Sequence, residues 1–143
     1  MPITDAMRAR HVVRQYLSTP LPDDVVAALR SRIEENNRAH GTDIRLVTGD
    51  ARVFGPLWGT VRARSVRNCL IMSGPDAPDL DERLGYGGAD LMLAAQDLGL
   101  NTWWIGGTFS KRAAARVSGA TGRIVAVVAL GYGATQGSAH ASK

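Results

Sequence analysis

Apolar positions along the chain recur with two periods, and turn residues separate the runs. Val25, Val26, Leu29 and Ile33 fall at helical spacing behind Asp23 and Asp24, which suit the positive end of a helix dipole. Gly41 supplies a stop, so a helix is predicted between them. Ahead of it, a short helical pattern opened by Thr4 and Asp5 ends near Arg10, an extended piece runs through Tyr16, and Thr19, Pro20, Leu21 and Pro22 mark a turn. A strand around Ile44 to Thr48 ends on Gly49 and Asp50. A second strand, Val66 to Met72, has a nearly continuous apolar end that implies cover on both faces, and Gly74, Pro75 and Pro78 close it. Asp79 begins the best amphipathic pattern, with Leu80, Leu84, Leu91, Ala94, Ala95 and Leu98 on one stripe and Gly99 at its C-terminus. Gly87 and Gly88 lie inside that helix. Mid-helix glycine costs about 1 kcal/mol against alanine, so the pair predicts a kink or a close approach to another backbone. Thr102 to Ile105 reads as a third strand ending on Gly106 and Gly107, Ser110 as the cap of a further helix, and Ile124 to Leu130 as a buried central strand. Helices thus alternate with strands around one sheet, an α/β or α+β sandwich whose strand pairing is not readable.

Composition narrows the class. The chain has 143 residues, 45% hydrophobic and 21% charged, enough for one core and too few for two full domains, so a single domain over 1–143 is expected, with a small polar tail at 138–143. No stretch approaches the roughly 20 apolar residues of a membrane helix. Met1-Pro2-Ile3-Thr4-Asp5 lacks the basic flank and apolar run of a signal peptide, and a cytoplasmic location is expected. The one cysteine, Cys69, excludes an intramolecular disulfide, and its apolar run Cys69-Leu70-Ile71-Met72, with no base or resolving thiol nearby, argues against catalysis. His11, His40 and His140 show no zinc spacing, so no metal is expected.

The formal net charge is +4 and the isoelectric point about 9.8, which brings an acidic ligand or nucleic acid into consideration. The arginines are scattered, however. The densest cluster, Arg62, Arg64 and Arg67, carries no interleaved aromatics and reads as a solvated face, so neither a nucleic-acid nor a membrane partner is expected. A basic interaction module would rest on the isoelectric point alone.

Two stretches carry candidate chemistry. Gly106 and Gly107 follow an apolar strand rich in tryptophan; such a pair fits a tight turn, and it also lets backbone N–H groups approach a planar ligand while the tryptophans anchor the strand in a core. Near the N-terminus, Arg10 and Arg14 stand four residues apart in Arg10-His11-Val12-Val13-Arg14-Gln15-Tyr16. If the backbone is extended at Val12 and Val13, both guanidinium groups project the same way and can grip one anion through paired donors; a solvated basic surface is the plain alternative. A Rossmann fingerprint at Gly131-Tyr132-Gly133 fails, because its third glycine position is Gln136 and the pyrophosphate-binding helix has no room.

Together the two stretches resemble the nitroreductase family of flavin enzymes, whose N-terminal signature is Arg-Arg/His-Ser-x-Arg/Lys-x-Phe/Tyr and whose later signature is Gly-Leu-Gly-Thr-Cys-Trp-Ile-Gly-Gly. The likeness continues through Leu84-Gly85-Tyr86-Gly87-Gly88 and Ala129-Leu130-Gly131-Tyr132-Gly133-Ala134 and covers most of the chain. It is strongest to the branch of nitroreductases built from two related halves, with the tail from Gly133 to Lys143 resembling the end of the first half. The resemblance implies an α+β three-layer sandwich whose mixed, mostly antiparallel sheet is flanked by helices. It implies FMN, with Arg10 on its phosphate, His11 a lesser contact, and Arg14 at the ribityl chain and pyrimidine edge. The segment Ile105, Gly106 and Gly107 would lie beside the flavin N5, and Lys143 would begin a basic phosphate contact. No catalytic side chain is implied. A hydride would arrive from NADH or NADPH and leave for a nitroaromatic, quinone or similar acceptor, the protein supplying orientation and electrostatic tuning. Such flavins lie between two subunits or two halves, so a homodimer is expected, with Gly85-Tyr86-Gly87 and the following helix as the contact.

The chain departs from the family pattern in places. Val12 replaces the signature serine and removes a hydroxyl donor to phosphate, worth about 1 to 2 kcal/mol. The Pro-Ser-x-x-Asn-x-Gln-Pro-Trp segment has no counterpart, since Asn36 and Asn37 lack its spacing; Trp103 stands where cysteine is common and Asn101 where glycine is. A degenerate, non-catalytic flavin-binding relative is therefore the alternative to an enzyme.

Overall fold

The computed structural model describes residues 16–17, 19–50, 52–54, 66–107 and 109–133. The short helix expected before Arg10 and the polar tail at 138–143 lie outside these residues. The first described helix, α1 (Asp23–His40), forms where the 3.6-residue stripe predicted it: Val25, Leu29 and Ile33 are buried, Asp23 and Asp24 occupy the first turn, and Gly41 ends it in the left-handed region at φ 63°. Strand β1 (Arg45–Val47) follows, then a 3₁₀ turn (Arg52–Phe54), β2 (Asn68–Gly74), α2 (Leu80–Asp97), β3 (Asn101–Ile105), α3 (Lys111–Ser118) and β4 (Arg123–Gly131).

The four strands form one sheet in the order β1-β2-β4-β3, and every pairing in it is antiparallel. Alternating side chains send Leu70, Met72, Ala126, Val128 and Leu130 to a core shared with α1 and α2. Cys69, Ile71, Val127 and Ala129 point the other way, to a second core with Val53 and Ala114 of the 3₁₀ turn and α3. The result is the expected three-layer α+β sandwich. The unbroken apolar runs of β2 and β4 reflect their central places between two covered faces rather than parallel pairing.

Two local expectations are corrected. The second strand starts and ends two residues later than the apolar run implied, because polar side chains at its ends are paired. Asn68 Oδ1 accepts from Gly49 N at 3.2 Å, and Ser73 Oγ donates to Asp43 O at 2.6 Å. In α2 the two glycines face side chains, not another backbone. A Cβ built on Gly87 would lie 3.3 Å from Ile44 Cδ1, and one on Gly88 would lie 2.7 Å from Trp104 Cζ3 and 3.0 Å from Met72 Cε. The helix runs without a break through both.

A polar network ties α1 to α2. Arg32 donates twice to the Asp90 carboxylate, each bond 2.7 Å long, and Asn36 Nδ2 donates to the same group at 2.7 Å. The Arg32 hydrogen bonds hold the Asp90 carboxyl below its ordinary range, against the opposing effect of partial burial, and the Asn36 bond adds to this. A pKa lowered by folding contributes stability above the unfolded value of about 3.9 and loses it as pH falls through the folded value. Asp90→Asn is therefore expected to lower urea-unfolding stability by about 1 kcal/mol near neutral pH, discounted for the half-exposed Arg32, and by much less near pH 3. An equal loss at both pH values would contradict the pairing.

Candidate functional site

Among the described residues strand β3 is one edge of the sheet, paired to β4 from Asn101 opposite Gly131 to Ile105 opposite Val127. Its alternation divides the tryptophans: Trp103 packs half-buried on the α3 side, and Trp104 lies toward α2, over Gly88. The expectation that both tryptophans anchor the strand in a core is thus corrected. Trp104 remains 37% exposed, because an edge strand has cover on its α2 face only where the helix passes. Buried Asn101, Thr102 and Ile105 hold the strand instead. Asn101 Oδ1 also accepts from Gly133 N at 3.0 Å, linking the start of β3 to the chain beyond β4.

Ile105 is buried, and directly after it the chain emerges at Gly106 and Gly107, both exposed. It is fixed again at Ser110, whose N–H donates to Val53 O at 2.9 Å and whose hydroxyl accepts from Ala113 N at 3.1 Å to cap α3. The glycine pair is therefore a short bridge between a pinned strand and a capped helix. Neither glycine has the positive φ that would require glycine. Nor does packing among the described residues require it: there a Cβ at Gly107 would meet nothing within 4 Å, and one at Gly106 only Trp104 Nε1, at 3.9 Å. Among the described residues, nothing fills the space a side chain would take at Gly107. The backbone is therefore directly accessible at this corner, with no side chain of its own to screen it.

Of the residues singled out from sequence, Ile105, Gly106 and Gly107 are brought together here. Arg10, His11, Val12, Arg14 and Lys143 lie outside the described residues. The described chain picks up the N-terminal segment at Tyr16, which bridges Gly133, while Leu17 N donates to Tyr132 O at 2.8 Å. Gly133 is six residues further along the chain than Val127, the partner of Ile105, or roughly 20 Å at strand rise. Tyr16 is buried in the α3-side core, its hydroxyl has no hydrogen-bond partner among the described residues, and burial raises its pKa far above the ordinary phenol value, so it stays neutral. Sequence reasoning missed the contact between Trp104 and Gly88. Its only trace was an unexplained glycine in mid-helix.

Cys69 is fully buried in β2. Burial, helped by the nearby Asp50 carboxylate, pushes its thiol up to about 12. Enclosed in this way, the native thiol is held in its protonated form and away from solvent. Alkylation by iodoacetamide is expected only after unfolding, and rapid labelling of the native chain would contradict this burial. No group of three or more His, Cys, Asp or Glu side chains among the described residues could hold a metal ion. No helix among them is long and apolar enough to cross a membrane.

With this geometry in place, the family model described as "Putative TM nitroreductase" matches residues 2–143, and the chain belongs to that family. No curated protein matches the chain. Among solved structures, the chain is similar to a protein described as a "putative nitroreductase", in complex with FMN, from Desulfovibrio desulfuricans. The TM-score is 0.73 at 19% identity, over 100% of this chain and 92% of that one. It is also similar to the FMN-dependent nitroreductase NfnB from Mycobacterium smegmatis, in complex with NADPH, with a TM-score of 0.74 at 12% identity over 92% of this chain and 87% of that one. At these identities the likeness is one of fold.

Proposed function

We propose that the chain is an FMN-dependent oxidoreductase of nitroreductase type that takes a hydride from NADH or NADPH and delivers it to a nitroaromatic, quinone or similar electron-poor acceptor. The observation that carries this reading is the ledge at Gly106 and Gly107, where two exposed glycines are demanded neither by backbone conformation nor by packing among the described residues. Membership of the nitroreductase family, and the FMN and NADPH bound by structural neighbours, support it. Bound FMN supplies the redox chemistry itself, accepting and releasing electrons at its ring.

The chain's own part is to hold and tune. Ile105 fixes the end of β3 so that the Gly106 and Gly107 backbone meets the redox edge of the ring. Arg10 binds the flavin phosphate with help from His11, and Lys143 adds a further cation there. Val12 offers no hydroxyl to that phosphate. Arg14 places positive charge by the pyrimidine edge, where it stabilises negative charge on the reduced ring. In the cytoplasm the chain works as a homodimer. Tyr86, 65% exposed and stacked on His40 with ring centroids 6.4 Å apart, supplies an aromatic contact for the second copy.

The test is anaerobic. FMN-loaded protein is mixed with NADPH or NADH and the flavin absorbance followed, then a quinone is added. Bleaching by the nicotinamide and recovery with the quinone are expected. Flavin that stays bound and oxidised would instead identify the non-catalytic relative that Val12 and the missing asparagine segment would produce.

A further inference from the structure

One indole stands between two glycines that the flavin reading explains only in part. The six-membered end of Trp104 occupies the place where a side chain on Gly88 would begin, with Cζ3 2.7 Å and Cη2 3.6 Å from a Cβ built there. That separation is shorter than any real Cβ contact, so glycine at 88 is what lets the ring settle onto α2. The pyrrole end reaches the ledge: among the described residues beyond its chain neighbours, Nε1 is the one atom within 4 Å of a Cβ built on Gly106, at 3.9 Å. The indole thus runs from the helix to the open space above Gly106, and it remains 37% exposed along the way. A ring seated this closely on the helix and still 37% exposed keeps surface that another ring could cover.

We infer that Trp104, seated on Gly88, is a positioning residue for the isoalloxazine: an aromatic wall at the ledge that fixes where the flavin ring lies. This rests on the FMN reading above. The chemistry suits both partners, since an electron-rich indole and an electron-poor flavin ring attract in offset or edge contact, and the indole N–H is a neutral donor that adds no charge beside the ring. Trp103 cannot share the role, because strand alternation puts it on the α3 face. Gly88 acts one step removed. A methyl group there would displace the indole and leave the ledge itself untouched.

The test uses the full chain, stripped of flavin and titrated with FMN, with tryptophan emission, flavin emission and affinity read together. In the unaltered chain FMN is expected to quench indole emission and to lose its own fluorescence on binding. Trp104→Leu is expected to bind FMN roughly tenfold more weakly, the size of one ring stack, with brighter bound flavin; Trp104→Phe is expected to recover most of the affinity. Gly88→Ala keeps every tryptophan and should show the same partial loss of quenching, so the result does not depend on the leucine variant folding. If the unaltered chain binds FMN and all three variants match it in affinity and in quenching, the role of Trp104 is overturned and the flavin reading stands. If the unaltered chain takes up no FMN, both are overturned.

Discussion

Gly107→Val is expected to leave the fold intact and empty the site. Among the described residues a Cβ at this position meets nothing within 4 Å, and the backbone is not in the left-handed region, so valine enters without strain. A glycine replaced where its conformation suits other residues is neutral or gains a few tenths of a kcal/mol by restricting the unfolded chain. Thermal unfolding of the apo protein should therefore match the unaltered chain or lie slightly above it. FMN retention should fall by more than about tenfold, because the branched side chain stands where the ring must lie, and each 1.4 kcal/mol of lost contact is a factor of ten. Comparing melting temperature with flavin content separates the two effects. Full flavin content in this variant would move the site elsewhere.

The opposite pattern is expected at Gly122, just ahead of β4. A Cβ built there collides with the carbonyl of Gly74, the last residue of β2, and lies 2.7 Å from its carbonyl carbon. This is backbone against backbone, beside the register shift between Met72 and Ser73, so no side chain can move aside. Gly122→Ala is expected to cost about 3 kcal/mol and to lower the melting temperature by about 10 °C. Gly74→Ala makes a useful contrast. Its Cβ would meet Leu80 Cδ1 at 2.8 Å, the far end of a flexible side chain, and the loss should be about 1 to 2 kcal/mol. A Gly122→Ala variant as stable as the unaltered chain would show that β2 and β4 do not approach as described.

Much of this fold was legible in the residues. The stripe Val25, Leu29, Ile33 between two aspartates and Gly41 marks α1 at both ends, Ser110 caps α3 by its own hydroxyl, and the uninterrupted run in β4 announces a central strand. Strand order was not legible, because pairing is settled by which faces the helices cover rather than by any local pattern. Polar residues hid the ends of β2. The apolar run places the strand at Val66 to Met72, and the ladder is shifted to Asn68–Gly74 because Asn68 and Ser73 meet long-range partners, Gly49 and Asp43, that no local pattern announces. The same holds for Arg32 and Asp90, which lie 58 residues apart and give no local sign of meeting.

The candidate site divides in a similar way. The strand ending on Gly106 and Gly107 was readable, since an apolar run stopping on two glycines is a local feature. The openness of the ledge was not, because it depends on what the rest of the chain leaves unfilled. Trp103 and Trp104 looked alike in sequence and separate only once β3 is an edge strand with different cover on its two faces. Gly88 drew notice as an unfavourable helix residue, yet the neighbour that requires it lies sixteen positions further along the chain, on another element.

The account turns on a flat nucleotide seated against the backbone after β3. The full-length chain, purified and passed through gel filtration with and without added FMN, tests this most directly. The flavin absorbance band is predicted to travel with the protein at the elution position of a dimer. A colourless protein that leaves all added FMN in the small-molecule fractions would contradict it.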